Sequence, residues 1–168
     1  MQDLHPRIRT ALVSINPTKE APAWHGCPTA LGVLRGVSAS VATWRPYPGA
    51  NNIREIALHI AFWENSVANR LSGENIRVEF AQRKTSWPTL CDSVEDAQWK
   101  DEVALLKRTH ERLTEALIRF DPDLLDQPVG KQTNRNIIEF IHGVAEHTLY
   151  HTAQMEAIKT LAKHQGIS

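Results

Sequence analysis

The sequence predicts an all-α protein, most economically a bundle of four long helices, and three observations lead there. Its nine prolines, at positions 6, 17, 22, 28, 46, 48, 88, 122 and 128, leave long proline-free stretches at roughly 49–87, 89–121 and 129–168. Within those stretches apolar residues recur at the three- and four-residue steps of a helix. No segment alternates apolar and polar residues, and no Asn-Gly or Asp-Gly pair offers a hairpin turn.

Residues 1–23 read as a partly helical lead-in. A shorter helix is predicted from Pro28 to about Thr43, with Pro28 at N1, an apolar face of Leu31, Leu34, Val37 and Val41, and Gly32 and Gly36 allowing close contact. Asn51 or Asn52 caps the next helix, and Glu55 stands three residues after Asn52 as a capping-box partner. Its apolar face is Ile53, Ile56, Ile60, Trp63, Val67 and Leu71, and Ser72-Gly73 closes it. Ser93 opens a third run, in which Glu95 and Asp96 suit the positive end of the helix dipole; Val103, Leu106, Leu113, Leu117 and Phe120 follow, and Asp121-Pro122 stops it. Thr133 or Asn134 caps the last helix, which continues through Ile137, Ile141, Val144, Met155, Ile158 and Leu161 to Gly166. That helix is about 30 residues, or ~45 Å at 1.5 Å per residue. Residues 74–92 form the longest irregular connection, and no internal repeat or low-complexity tract appears.

With 168 residues, 42% hydrophobic and 23% charged, the composition is that of one globular domain, 1–168. Such a chain buries a core without a disulfide or a structural metal, so a metal here would be functional. Nineteen basic residues balance nineteen acidic ones. A neutral chain has no long-range field for nucleic acid or an anionic membrane, and neither is an expected partner. Cys27 and Cys91 are isolated and not in CxxC spacing. No apolar stretch follows the basic residues of Met1 to Thr10, and no apolar run reaches 18 residues, so a cytoplasmic protein is expected.

The chemistry lies in the eight histidines. His147 and His151, spaced i, i+4, project within about 40° of each other with Cβ atoms ~6 Å apart. They share a face with Val144, Thr148, Met155 and Ile158, which turns the pair toward the bundle interior rather than leaving it a surface coincidence. Burying two imidazoles without partners is costly, so a ligand or polar partner is expected. His59 lies beside Ile56, Ile60 and Trp63 on the core face of another helix, completing a three-nitrogen set. Three protein ligands with an open position mark a catalytic metal, because a structural zinc is closed by four. Neutral imidazole suits zinc, nickel, iron or copper.

The other histidines read differently. His142 points away from the pair and is structural or solvent-facing, while His5 and His164 are solvated. His110, on the Val103, Leu106 and Leu113 stripe, is a satisfied core histidine before it is a fourth ligand. His25, in Trp24-His25-Gly26-Cys27-Pro28, belongs to a turn leading into a helix or borders a pocket. The segment His147-Thr148-Leu149-Tyr150-His151 lacks the glutamate a zinc protease needs after its first histidine, and only Glu139-Phe140-Ile141-His142 fits a di-iron element. Neither a phosphate-binding loop nor a hydrolase nucleophile elbow occurs.

These histidines, with the segment from Arg45-Pro46-Tyr47-Pro48-Gly49 through Asn52-Ile53-Arg54-Glu55 to His59-Ile60, make the chain resemble the DinB/YfiT-like family from about Trp24 to Leu161. The resemblance implies an up-down-down-up four-helix bundle, often homodimeric, with a three-histidine site for a divalent metal, commonly nickel or zinc. Position for position, the ligands are His59, His147 and His151. The tail Tyr150-His151-Thr152-Ala153-Gln154-Met155 is similar to the family's, with Ala153 where the family often has glycine, and it carries Gln154 over as a supporting group. Relatives include enzymes that use a low-molecular-weight thiol as cosubstrate, and metal-dependent hydrolases.

Both chemistries act on a small-molecule substrate and share one first set of ligands, since an open metal activates either water or a thiol. Hydrolysis asks for a general base, and Glu55, Glu64 and Glu146 are the carboxylates near in sequence. Their helix angles turn partly away from the histidines, and each reads as surface charge. Thiol transfer asks only for an apolar pocket, with Trp63 a candidate wall, and the sequence leans toward it. The alternative of another class is a stress-response protein that binds a metal or small ligand without turnover.

Overall fold

The structure, a computed structural model, describes residues 4–24, 26–77, 86–130 and 134–168. Six α-helices occur among them: α1 (Pro6–Ile15), α2 (Ala30–Val33), α3 (Ala39–Thr43), α4 (Ile53–Ser72), α5 (Asp96–Ile118) and α6 (Ile137–His164). The fold class is all-α, and no helix among the described residues is long and apolar enough to cross a membrane.

Local chemistry accounts for the ends of α4. The Asn52 side chain accepts from Glu55 N at 2.9 Å while the Glu55 carboxylate accepts from Asn52 N at 3.0 Å, the reciprocal capping box. Gly73 closes the helix in the left-handed conformation, φ 74°. The last helix starts later than Thr133 or Asn134: its cap is Asn136, again with a capping box, to Glu139. The reason is upstream pairing. Val129 N donates to Arg135 O at 3.0 Å and Ile137 N to Gln127 O at 3.0 Å, so Arg135 and Asn136 are held in bridge pairing rather than in the helix, while Thr133 lies outside the described residues.

One continuous helix over 28–43 does not form. Thr29, not Pro28, starts α2 by accepting from Gly32 N at 3.0 Å, Gly36 turns the chain at φ 72°, and Ser38 caps α3 anew. Lys159 on α6 donates to the carbonyls of Val33 and Arg35 at 2.7 and 2.8 Å, satisfying acceptors that the break leaves open. The lead-in, conversely, contains a full helix. Ile8, Ala11, Leu12 and Ile15 of α1, at i, i+3, i+4 and i+7, are all buried, and α1 packs on α5 and α6. The place beside α6 that a fourth long helix would fill is thus shared by α1 and α2.

Cross-helix pairs set the directions. Arg54 bonds Glu102, Glu64 bonds His110 and Asn69 bonds Arg112, so positions rise together and α4 runs parallel to α5. On α6 the partners of α4 run in reverse, with His151 and His147 near His59 and His147 near Trp63, so α6 is antiparallel to α4.

Two apolar clusters fill the interior. One gathers α2, α3, the first half of α4, Trp99 and Leu106 of α5, and Met155, Ile158 and Ala162 of α6. The other gathers α1, Val67 and Ala68 of α4, Leu113 and Leu117 of α5, and Ile138, Ile141 and Val144 of α6. Between them in sequence, on all three long helices, lie the buried polar residues Glu64, Asn65, Thr109, His151 and Thr152. The bundle therefore has a polar waist, and the waist is where histidines gather.

Candidate metal centre

His147 and His151 are one turn apart on α6, their ring centroids 4.5 Å apart, and His59 reaches them from α4, 5.0 and 4.9 Å away by the same measure. Each offers one ring nitrogen, and these three atoms lie within 4.8 Å of one another. Their placement follows from the capped, antiparallel α4 and α6, which align residue 59 with the 147/151 turn.

Neighbours fix two of the three tautomers. The Ser86 carbonyl can only accept, so at 3.0 Å His59 Nδ1 carries the proton and Nε2 keeps a lone pair. His151 Nδ1 likewise donates to Gln154 Oε1 at 2.6 Å, and Gln154 is held in turn by Nε2 donating to the Tyr150 hydroxyl at 3.0 Å. Supporting groups of this kind orient metal-binding imidazoles. His147 Nδ1 is buried with no hydrogen-bond partner. Trp87 stacks flat on His59, centroids 3.8 Å apart and 5° from parallel, and Trp63 meets His147 edge-on at 5.9 Å.

Electrostatics keep the cluster neutral. Burial first, then the neighbouring His151 and His59, push the His147 pKa down from 6.5 to about 4. Burial also lowers His59, against the Ser86 hydrogen bond, and His151, against the bond to Gln154. Neutral imidazole is the form a metal binds.

The residues fit a divalent ion. His59 Nε2 and His147 Nε2 stand 3.1 Å apart. Two nitrogens bound at 2.0–2.1 Å with a tetrahedral angle are separated by about 3.3 Å, so the rings are nearly spaced for one ion. Among the described residues neither a carboxylate nor a thiolate joins the group. Three uncharged ligands would leave the charge of a bound ion undiminished.

The other candidates fall elsewhere. His110 is not in the group; its Nδ1 lies 3.2 Å from Glu64 Oε1, which also accepts from Thr148 Oγ1 at 3.3 Å. A cavity of about 30 Å³ beside it has room for no more than a water or two. His25 lies outside the described residues. Two carboxylates need correction: Glu64 is 1% exposed and Glu55 8%, so neither is surface charge. Glu55 is bound by its capping box and by Arg45 at 2.7 Å, and Glu64 by His110 and Thr148. Glu146 is exposed, as expected. The sequence reading missed Ser86 and Tyr150; Trp87, readable from sequence as core, interface or pocket wall, is a wall of this site. The signal for Trp87 was a large apolar residue inside the long irregular connection.

The sequence model of the DinB superfamily matches residues 28–155. The chain belongs to the DinB superfamily. No curated protein and no solved structure matches it. In this DinB-superfamily chain all three histidines, Gln154 and Trp63 fall inside the matched span, whereas α1 stands before it.

Proposed function

We propose that this protein is a metal-dependent enzyme acting on a small molecule, in which His59, His147 and His151 hold one divalent ion, nickel or zinc. The proposed reaction is S-transfer from a low-molecular-weight thiol. The observation that supports it is the convergence of three neutral imidazoles with no charged ligand among the described residues. Bound there, a divalent ion supplies Lewis acidity, which makes a thiol or water more nucleophilic near neutral pH.

The chain's own residues favour transfer over hydrolysis. Glu55 is committed to Arg45 and Glu64 Oε1 to His110 and Thr148, and neither carboxylate joins the three-histidine group, so neither is taken as a base there. Thiol transfer has no need of one: the thiol gives its proton to solvent and its sulfur displaces a leaving group from carbon, one C–S bond forming as the other bond breaks. Ser86 and Gln154 hold two rings in the metal-binding tautomer, and Trp87 and Trp63 shield them. The up-down-down-up order belongs to the same reading, supported by parallel α4 and α5 and antiparallel α6. A homodimer does too, and light scattering decides it against the 18.9 kDa chain.

Metal analysis after loading with nickel or zinc is expected to find about one ion per chain, absent from a His147→Ala/His151→Ala variant. The loaded protein should then turn over 1-chloro-2,4-dinitrobenzene only with an added thiol such as N-acetylcysteine. Thiol-independent cleavage of p-nitrophenyl acetate would instead assign hydrolysis. Bound metal with turnover in neither assay would leave a binding protein.

A further inference from the structure

A cleft lies between α4 and α6 against His147, and the metal-site reading leaves it unexplained. On α6 it is bordered by Phe140, Gly143, Val144 and His147, which at i, i+3, i+4 and i+7 form one stripe; on α4 by Trp63 and Val67, one turn apart. Among the described residues that line it, Arg135 and His147 alone carry ionisable side chains. Its volume is about 210 Å³. A cavity of about 150 Å³ is enough to take up benzene, so a six-membered ring fits with room for a short substituent.

Gly143 gives the cleft its meaning. It sits inside α6, and a Cβ built there meets nothing within 4 Å. Its backbone is not in the left-handed region, so no turn requires glycine. Glycine in a helix interior is disfavoured against alanine by about four- to fivefold per site, yet no neighbouring atom among the described residues demands the missing side chain. What its absence does is widen the cleft, on the stripe that leads to His147.

Resting on the metal-site reading, we propose that this cleft seats the apolar part of the substrate, a ring-sized group such as a phenyl. Residue 143 lies one helical turn from His147, about 6 Å along the axis. A ring seated over Gly143 therefore carries its reactive carbon one or two bonds away, as a benzyl-type electrophile does. Trp63, touching both the cleft and the His147 ring, is the wall shared by the two.

The test needs no turnover. Benzyl alcohol is titrated into metal-free and zinc-loaded protein and followed by amide and methyl NMR shifts. Expected is saturable binding, with a Kd on the order of 1 mM for so small a ligand, and shifts centred on Val67, Phe140, Gly143 and Val144. Gly143→Leu should weaken it at least tenfold. Gly143→Ala, which meets no clash, should raise the melting temperature and weaken binding less, so the proposal stays testable if the leucine variant fails to fold. No saturable shifts in the cleft, or equal binding by wild type and both variants, would overturn it. Zinc uptake without benzyl alcohol binding sinks the cleft and spares the metal site; benzyl alcohol binding that is lost in Gly143→Leu, in a protein that takes up no zinc, does the reverse.

Discussion

At His147 burial and two neighbouring imidazoles act in one direction, and the result is a ring that resists protonation down to about pH 4. His59 and His151 are lowered as well, chiefly by burial. In the unfolded chain all three titrate near 6.5, so below that value the unfolded state binds more protons. The stability these rings contribute is complete above pH 6.5 and is lost as pH falls toward about 4. Urea midpoints of the metal-free protein should fall across that window, and less steeply in His147→Phe; an identical fall in the variant refutes the assignment. His110 has the opposite sign. Burial opposes its charge, but the hydrogen bond and charge of Glu64 outweigh burial and raise its pKa, so its contribution is full below 6.5 and fades as pH rises past the raised value. Gln154→Ala should cost about 10- to 100-fold in zinc affinity, because His151 loses the acceptor that fixes its tautomer, while leaving the fold intact by circular dichroism. The histidine pair was legible because i, i+4 spacing on an apolar stripe survives any packing of the helix. Glu64 was not. It does point away from His59, but what lies that way is α5 and not water, since α4 is buried on several sides, from Arg54 and Ile56 round to Asn65.

Helix ends were readable where a side chain makes the end. Asn52 with Glu55, and Gly73 in the left-handed conformation, put both limits of α4 where their chemistry says. The start of α6 moved to Asn136 because backbone pairing with Gln127 and Val129, a contact with no sequence signature, holds the preceding residues. The segment 28–43 shows the converse. Its apolar spacing suits one helix, yet Thr29 and Ser38 are two caps and Gly36 between them is a turn, and tertiary bonds from Lys159 stabilise the break. Gly36 is exposed and a Cβ there would meet nothing within 4 Å, so only its φ of 72° opposes a side chain. Gly36→Ala should therefore destabilise by about 1–2 kcal/mol, the left-handed penalty, seen as a lower urea midpoint at unchanged slope. A continuous helix across 28–43 would make the same substitution stabilising, so the sign decides.

Across the whole molecule, the two apolar clusters hold the long helices at either end while the waist between them carries polar groups that contribute less to stability. His147 Nδ1 and Glu64 Oε2 are buried there without a partner, and such atoms are destabilising until something satisfies them. Seen at this scale, the neutral charge that argued against nucleic acid says nothing about why the waist is polar, while the convergence of His59, His147 and His151 does. An ion bound to the folded chain alone stabilises it by mass action, about 2.7 kcal/mol at free metal 100 times its Kd. For a domain of this size each kcal/mol raises the melting temperature by about 2–4 °C. Zinc or nickel at that excess should then raise the Tm by about 5–10 °C, reversibly on adding a chelator. The His147→Ala/His151→Ala variant should show no such rise. Because α1 belongs to the opposite cluster, Leu12→Ala should lower the Tm of both forms, by about 2–5 kcal/mol of core loss, and leave the metal-induced increment in place. If the increment disappears with Leu12, the site is not an independent waist but part of the cluster that holds α1, and the division of the bundle into two clusters around it fails.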